Sequence, residues 1–134
     1  MASKPDPAII EALKAVTDFD DETVRALAAH GTFINVPARW SLMWEQTPAD
    51  KAYIILEGEV VIRRNNADVA ELGPGSVLGE IALVNHKLRS ASVFALTPLK
   101  ALHFTDTVIA DLVRENQAFG DALRTAAEQR LASD

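Results

Sequence analysis

Apolar and polar positions along this 134-residue chain change their period twice. Near the N-terminus Ile9, Ile10, Leu13 and Val16 recur at helical spacing. Asp6-Pro7 supplies an N-cap followed by a proline suited to the first helical position. A second helix is predicted to begin near Asp20 or Asp21, with Val24, Leu27 and Ala28 as its stripe. Gly31 stands where a C-terminal cap belongs. From Thr32 the pattern becomes one of short β-rich runs: Thr32–Val36, Trp40–Trp44, Ala52–Leu56, Glu59–Arg63, Asp68–Leu72, Ser90–Ala95 and Leu99–Phe104. Asn65-Asn66 is a hairpin signal, and Gly58 marks a bulge or a tight bend. After Phe104 helical spacing returns. Val108, Leu112 and Val113 form one stripe, and Phe119, Leu123 and Ala126 another, with a break near Asn116-Gln117.

Short strands separated by turn residues predict a sandwich or barrel, not a parallel sheet with crossover helices. The expected organisation is a single domain over 1–134: helical over 1–31, all-β over 32–104 and helical again over 105–132. A core of useful size fits in this length without disulfides or metal.

Composition narrows the chemistry. The chain has no cysteine, so disulfides, thiol catalysis and cysteine-based metal sites are excluded. His30, His86 and His103 are not paired at i, i+4, so no metal site is expected. No Ser-His-Asp set or His/Glu metal set is evident, and no enzymatic activity is expected. The formal charge of -6 disfavours nucleic acid as a partner. Arg63-Arg64 is the lone adjacent basic pair and reads as a solvated strand end. No signal-peptide pattern or membrane-length apolar run is present, so the expectation is a cytoplasmic protein with no membrane partner.

The chemistry concentrates between Leu72 and Ser92. Gly73, Gly75 and Gly79 are half of the chain's six glycines. Their spacing fits neither a P-loop nor a dinucleotide fingerprint. It fits an anion site, because a short helical turn starting at Gly79 would offer free N–H groups to a phosphate. Arg89, ten residues later, is far enough along for a loop to return it to the same spot. Its guanidinium can grip two phosphate oxygens. Ser90 adds a hydroxyl and an N–H. Glu80 would repel a phosphate, unless it accepts a hydrogen bond from a sugar hydroxyl of the same ligand. A β-turn with an Arg–Glu surface pair is the plainer alternative.

Gly79-Glu80-Ile81-Ala82-Leu83, followed after Val84 to Leu88 by Arg89-Ser90-Ala91-Ser92-Val93, closely resembles the phosphate-binding cassette of the cyclic-nucleotide-binding domain family. Tyr53 to Ile62 resembles that family's Gly-Glu-Val strand pair, and Leu72-Gly73-Pro74-Gly75 its approach to the cassette. The resemblance runs from about Thr32 to Leu131. It implies a mainly β fold, a double-stranded β-helix (jelly-roll) barrel with flanking helices. It implies a 3′,5′-cyclic nucleotide ligand, cAMP first and cGMP next. Glu80 would bind the ribose 2′-hydroxyl and Arg89 the cyclic phosphate. Ser90, Ala91 and the N–H groups near Gly79, Ile81 and Ala82 would complete the cradle. The implied role is a ligand-switched signalling module working through its C-terminal helices, with a protein partner or self-association. A ligand-free interaction domain and the sensor part of a transcription regulator are the alternatives. His86 and Leu88 replace the glycine and proline frequent in the family's loop, and Arg39 and Gln46 stand where glycines are common.

On a wheel of about 100° per residue, Arg130 lies in the middle of the Phe119-Leu123-Ala126 stripe. The family offers a role for it, reaching the base of the nucleotide as a lid. Snorkelling to solvent or pairing with a carboxylate is the alternative.

Overall fold

A computed structural model describes residues 6–44, 51–78, 92–117 and 119–121. Two N-terminal helices lead into two four-stranded antiparallel sheets, and the chain then returns to helix. Helix α1 spans Pro7–Val16 and α2 spans Asp21–His30. The strands are β1 (Thr32–Val36), β2 (Ser41–Met43), β3 (Lys51–Glu57), β4 (Val60–Arg64), β5 (Ala67–Leu72), β6 (Val77–Leu78), β7 (Ser92–Ala95) and β8 (Leu99–Thr105). Helix α3 spans Asp106–Glu115. One sheet runs β1-β8-β3-β6 and the other β2-β7-β4-β5. This is the expected jelly-roll, its described strands forming two facing sheets rather than a closed cylinder.

Local chemistry sets the element ends. Asp6 caps α1 by accepting from the Ala8 N–H, and Asp20 caps α2 by accepting from the Thr23 N–H. Hydrogen bonds from the Thr23 side chain and then its backbone hold the Asp20 carboxyl below the usual range. Asn65 and Asn66 both take positive φ, 52° and 65°, as a two-residue hairpin turn between β4 and β5 requires. Gly58 is the tight bend between β3 and β4, with φ of 96°. A Cβ there would sit 2.5 Å from the Pro98 carbonyl oxygen. Gly31 does end α2, but in extended conformation rather than the left-handed one of a glycine cap. Its lack of a side chain makes room for the Phe104 ring, which a Cβ would meet at 2.8 Å. Arg39, standing where the resemblance expects glycine, holds φ at 74° in the turn before β2. Its N–H donates to the Ala95 carbonyl.

Alternation in the strands divides two cores. Ala52, Ile54 and Leu56 of β3, with Leu102 and Phe104 of β8, face the helices. They pack against Leu13, Val24, Leu27, Ile109, Leu112 and Phe119. The opposite faces of β3 and β8 supply Tyr53, Ile55 and Leu99. These meet Val60 and Ile62 of β4 and Val93 and Ala95 of β7 between the sheets. Each large apolar side chain so buried contributes about 1.5–3 kcal/mol.

The expected break near residue 116 has a clear cause. The Asn116 N–H donates to the Leu112 carbonyl and ends α3. Its side-chain oxygen accepts from the Phe119 N–H and opens the next helical turn, while its amide nitrogen donates to the Thr23 hydroxyl at 3.0 Å. Phe119 then packs edge-on against Phe19. Asn116→Ala removes both side-chain bonds and is expected to cost about 1–2 kcal/mol. Asn116→Asp keeps the cap and is expected to lose less. Urea unfolding of the two variants checks the order.

Arg63 and Arg64 end β4 as expected. There the Arg63 guanidinium pairs with Asp68 at 2.8 Å and lies over the Phe94 ring. Trp44 meets the same ring edge-on.

Candidate functional site

The two strands that flank residues 79–91 belong to different sheets. Strand β6 ends at Leu78 in the first sheet, paired with β3, and β7 begins at Ser92 in the second, paired with β4 and β2. Leu78 of β6 and Val93 and Ala95 of β7 are buried apolar side chains of the inter-sheet core. Ser92, opposite Arg63 in the ladder, is one of two buried polar residues named among the described ones.

The approach from β5 is a sharp turn over Gly73-Pro74-Gly75-Ser76, closed by the Ser76 N–H to the Gly73 carbonyl. The turn is tied to β3 at two points. The Gly75 N–H donates to the Ile55 carbonyl at 2.8 Å, and the Ile55 N–H donates to the Ser76 carbonyl at 3.0 Å. Gly75 has φ of 89°, and a Cβ on it would collide with the Val16 carbonyl oxygen at the end of α1. Glycine is therefore required twice over, by its dihedral and by the close approach of a helix. Strand β6 follows at once. This two-residue strand was not legible in the sequence, because Val77-Leu78 is too short to show a period.

Gly79, Glu80, Ile81, Ala82, Arg89, Ser90, Ala91 and Arg130 all lie outside the described residues. The residues on either side of 79–91 are described: Leu78 is fully buried and Ser92 nearly so. A feature that periodicity did not single out is the inner-face pair Tyr53 and His103. They are partners on β3 and β8, with ring centroids 5.4 Å apart. The Tyr53 hydroxyl donates to the Leu42 carbonyl at 3.3 Å. Strand pairing created this contact across fifty positions of sequence, which local spacing cannot foresee.

Two antiparallel sheets around an apolar interior, with helices packed on one side, define a jelly-roll domain. The cyclic nucleotide-binding domain model matches residues 33–116. The chain belongs to that family. A cyclic nucleotide-gated potassium channel of Mesorhizobium japonicum is 34% identical over 113 residues, covering 84% of this chain and 30% of the channel. The cAMP-dependent protein kinase type II regulatory subunit of Drosophila melanogaster is 42% identical over 62 residues, 43% of this chain and 16% of that subunit. Among solved structures, a cyclic nucleotide-binding domain from Methylobacillus flagellatus superposes with a TM-score of 0.73 at 26% identity. It covers 93% of this chain and 75% of that one. The chain spans less than a third of the length of these curated relatives. No helix among the described residues is long and apolar enough to cross a membrane.

Proposed function

We propose that this chain binds a 3′,5′-cyclic nucleotide, cAMP in preference to cGMP, and passes the binding event on through its C-terminal helices. In this reading Arg89 grips the cyclic phosphate, with Ser90, Ala91 and the N–H groups of Gly79, Ile81 and Ala82 around it. Glu80 accepts from the ribose 2′-hydroxyl, and Arg130 covers the base. The reading rests above all on the unbroken Gly79-to-Arg89 motif, which falls in the sequence between β6 and β7 of a cyclic nucleotide-binding domain. Such a site combines an apolar wall for the base with a few fixed polar groups for the phosphate and sugar. No catalytic role is assigned to it. The output is a contact with another protein or a second copy of the chain, altered by ordering of the final helix. Coupling of this kind is typically about 1–3 kcal/mol.

Titration of the protein with cAMP and with cGMP by calorimetry tests the reading. Micromolar or tighter binding of cAMP, about -8 kcal/mol or better, is expected, with cGMP weaker. Heat changes indistinguishable from dilution for every 3′,5′-cyclic nucleotide would leave a ligand-free interaction domain instead.

A further inference from the structure

The two outer faces of the sandwich are finished differently. Helix residues join Ala52, Ile54, Leu56, Leu102 and Phe104 in one core, so the first sheet is covered. Among the described residues no helix residue joins a core with a strand of the second sheet. Val60, Ile62, Val93 and Ala95 of that sheet point inward, so Val61, Arg63 and Phe94 point out. On β5, Glu71 and Asp68 stand opposite Val61 and Arg63 and share that face. Trp44, just past β2 and 57% exposed, meets the Phe94 ring edge-on. A solvent-facing sheet surface ordinarily carries polar side chains. This one carries two aromatic rings beside an exposed charge pair.

We propose that this face is a self-association surface, on which a second copy of the chain packs sheet against sheet about a two-fold axis. Such symmetry requires a patch complementary to itself. Arg63 and Asp68 meet that requirement. They are opposite charges side by side, 2.8 Å apart, with side chains 43% and 61% exposed. A two-fold axis running along the strands between them sets each guanidinium against the partner's carboxylate. Toward its own Asp68 the Arg63 guanidinium uses its Nε–H, and its position over the Phe94 ring holds the remaining donors in a fixed plane.

The same rotation lays Trp44 and Phe94 of one copy over β5 of the other, where Val69 at the β5 bulge is exposed. Trp and Arg are frequent anchors of protein interfaces. An axis across the strands would set Arg63 against the partner's Arg63, which charge disfavours. Near-parallel strands are also how sheets commonly pack face to face. Glu71 shares the face but stands at its edge. It falls across the axis from the partner's Glu71, about 10 Å or more away, beyond the screening length of about 8 Å at physiological salt. Screening likewise weakens the repulsion between two chains of formal charge -6. Four strands about 4.8 Å apart, each of about five residues rising about 3.3 Å, give a face of roughly 300 Å² per copy. That is at the transient end of interface sizes, so the expected dissociation constant is about 10–500 µM.

Sedimentation equilibrium of the chain, up to about 1 mM protein in about 0.15 M salt, is expected to show a monomer–dimer equilibrium. No nucleotide is added, so the result is independent of the cyclic-nucleotide reading. Arg63→Asp alone and Asp68→Arg alone each place like charges across the axis, and each is expected to weaken association at least about 10-fold. In an equimolar mixture each variant meets opposite charges at both positions, and association is expected to return to within about 3-fold of wild type. That recovery cannot come from unfolded chains, nor from the Arg63–Asp68 contact within one chain. Trp44→Ser, which leaves the charge pair in place, is also expected to weaken association. Circular dichroism checks the fold of each variant, and where a charge variant fails to fold, Trp44→Ser decides. A wild-type chain that stays monomeric to about 1 mM overturns the proposal and leaves the face to a different protein. Folded charge variants that associate as wild type does, folded variants that stay apart when mixed, or undiminished association in Trp44→Ser overturn it as well.

Discussion

Arg89→Ala is expected to weaken cAMP binding by two to three orders of magnitude while leaving the fold intact. Removing one partner of a desolvated, hydrogen-bonded charge pair costs about 2–5 kcal/mol, because the other charge is left in place without its counterion. In the proposed site that other charge is the cyclic phosphate. Arg89→Lys retains the charge but loses the planar two-point grip, so it should recover only part of the affinity. The buried residues nearest to Arg89 in sequence, Leu78, Ser92 and Val93, keep their own side chains in this variant. Calorimetric titration with cAMP, paired with thermal unfolding of the unliganded variant, separates the two effects. Undiminished cAMP affinity in Arg89→Ala would remove the cassette from the binding model.

Gly75→Ala is expected to produce the largest loss of stability among small substitutions in the approach turn. Alanine at φ of 89° costs about 1–2 kcal/mol in backbone conformation alone. The added methyl group also runs into the Val16 carbonyl at the end of α1, a backbone atom that cannot swing away as a side-chain tip would. Either α1 shifts or the turn breaks its two bonds to Ile55. The combined cost is about 2–4 kcal/mol, a fall in Tm of roughly 10 °C for a domain of this size. Gly73→Ala, two residues away, is the internal control. A Cβ on Gly73 meets nothing nearer than the Glu59 side chain at 4.0 Å, so its cost should stay within about 1 kcal/mol. Equal melting temperatures for the two variants would contradict the close approach of α1.

These two predictions draw on different kinds of information. Arg89 was identified from a motif, since Gly-Glu at one end and Arg-Ser at the other keep a spacing that reads directly in one dimension. Gly75 stood out only as one of several glycines. Its constraint comes from Val16, about sixty positions earlier, and no local pattern announces that meeting. The two-residue strand β6 escaped notice for a related reason, because pairing with Tyr53 and Ile54 makes it a strand rather than any period of its own. Gly31 shows a third case. Its position as the end of α2 was legible, but the reason for glycine there is the ring of Phe104 on a distant strand.

By itself, the sequence determined the order of elements apart from β6, the Asp6 and Asp20 caps, the Asn65-Asn66 hairpin, the break at Asn116 and the family motif. Each of these depends on residues within a few positions of one another, where chain geometry is set by covalent linkage and local hydrogen bonding. Tertiary structure alone decided which strands share a sheet and that β6 and β7 lie in different ones. It also brought α1 against Gly75, Thr23 to Asn116 and His103 to Tyr53. Those contacts depend on how two apolar cores close around strands far apart in the chain, and pairing across such distances leaves no periodic trace in either partner.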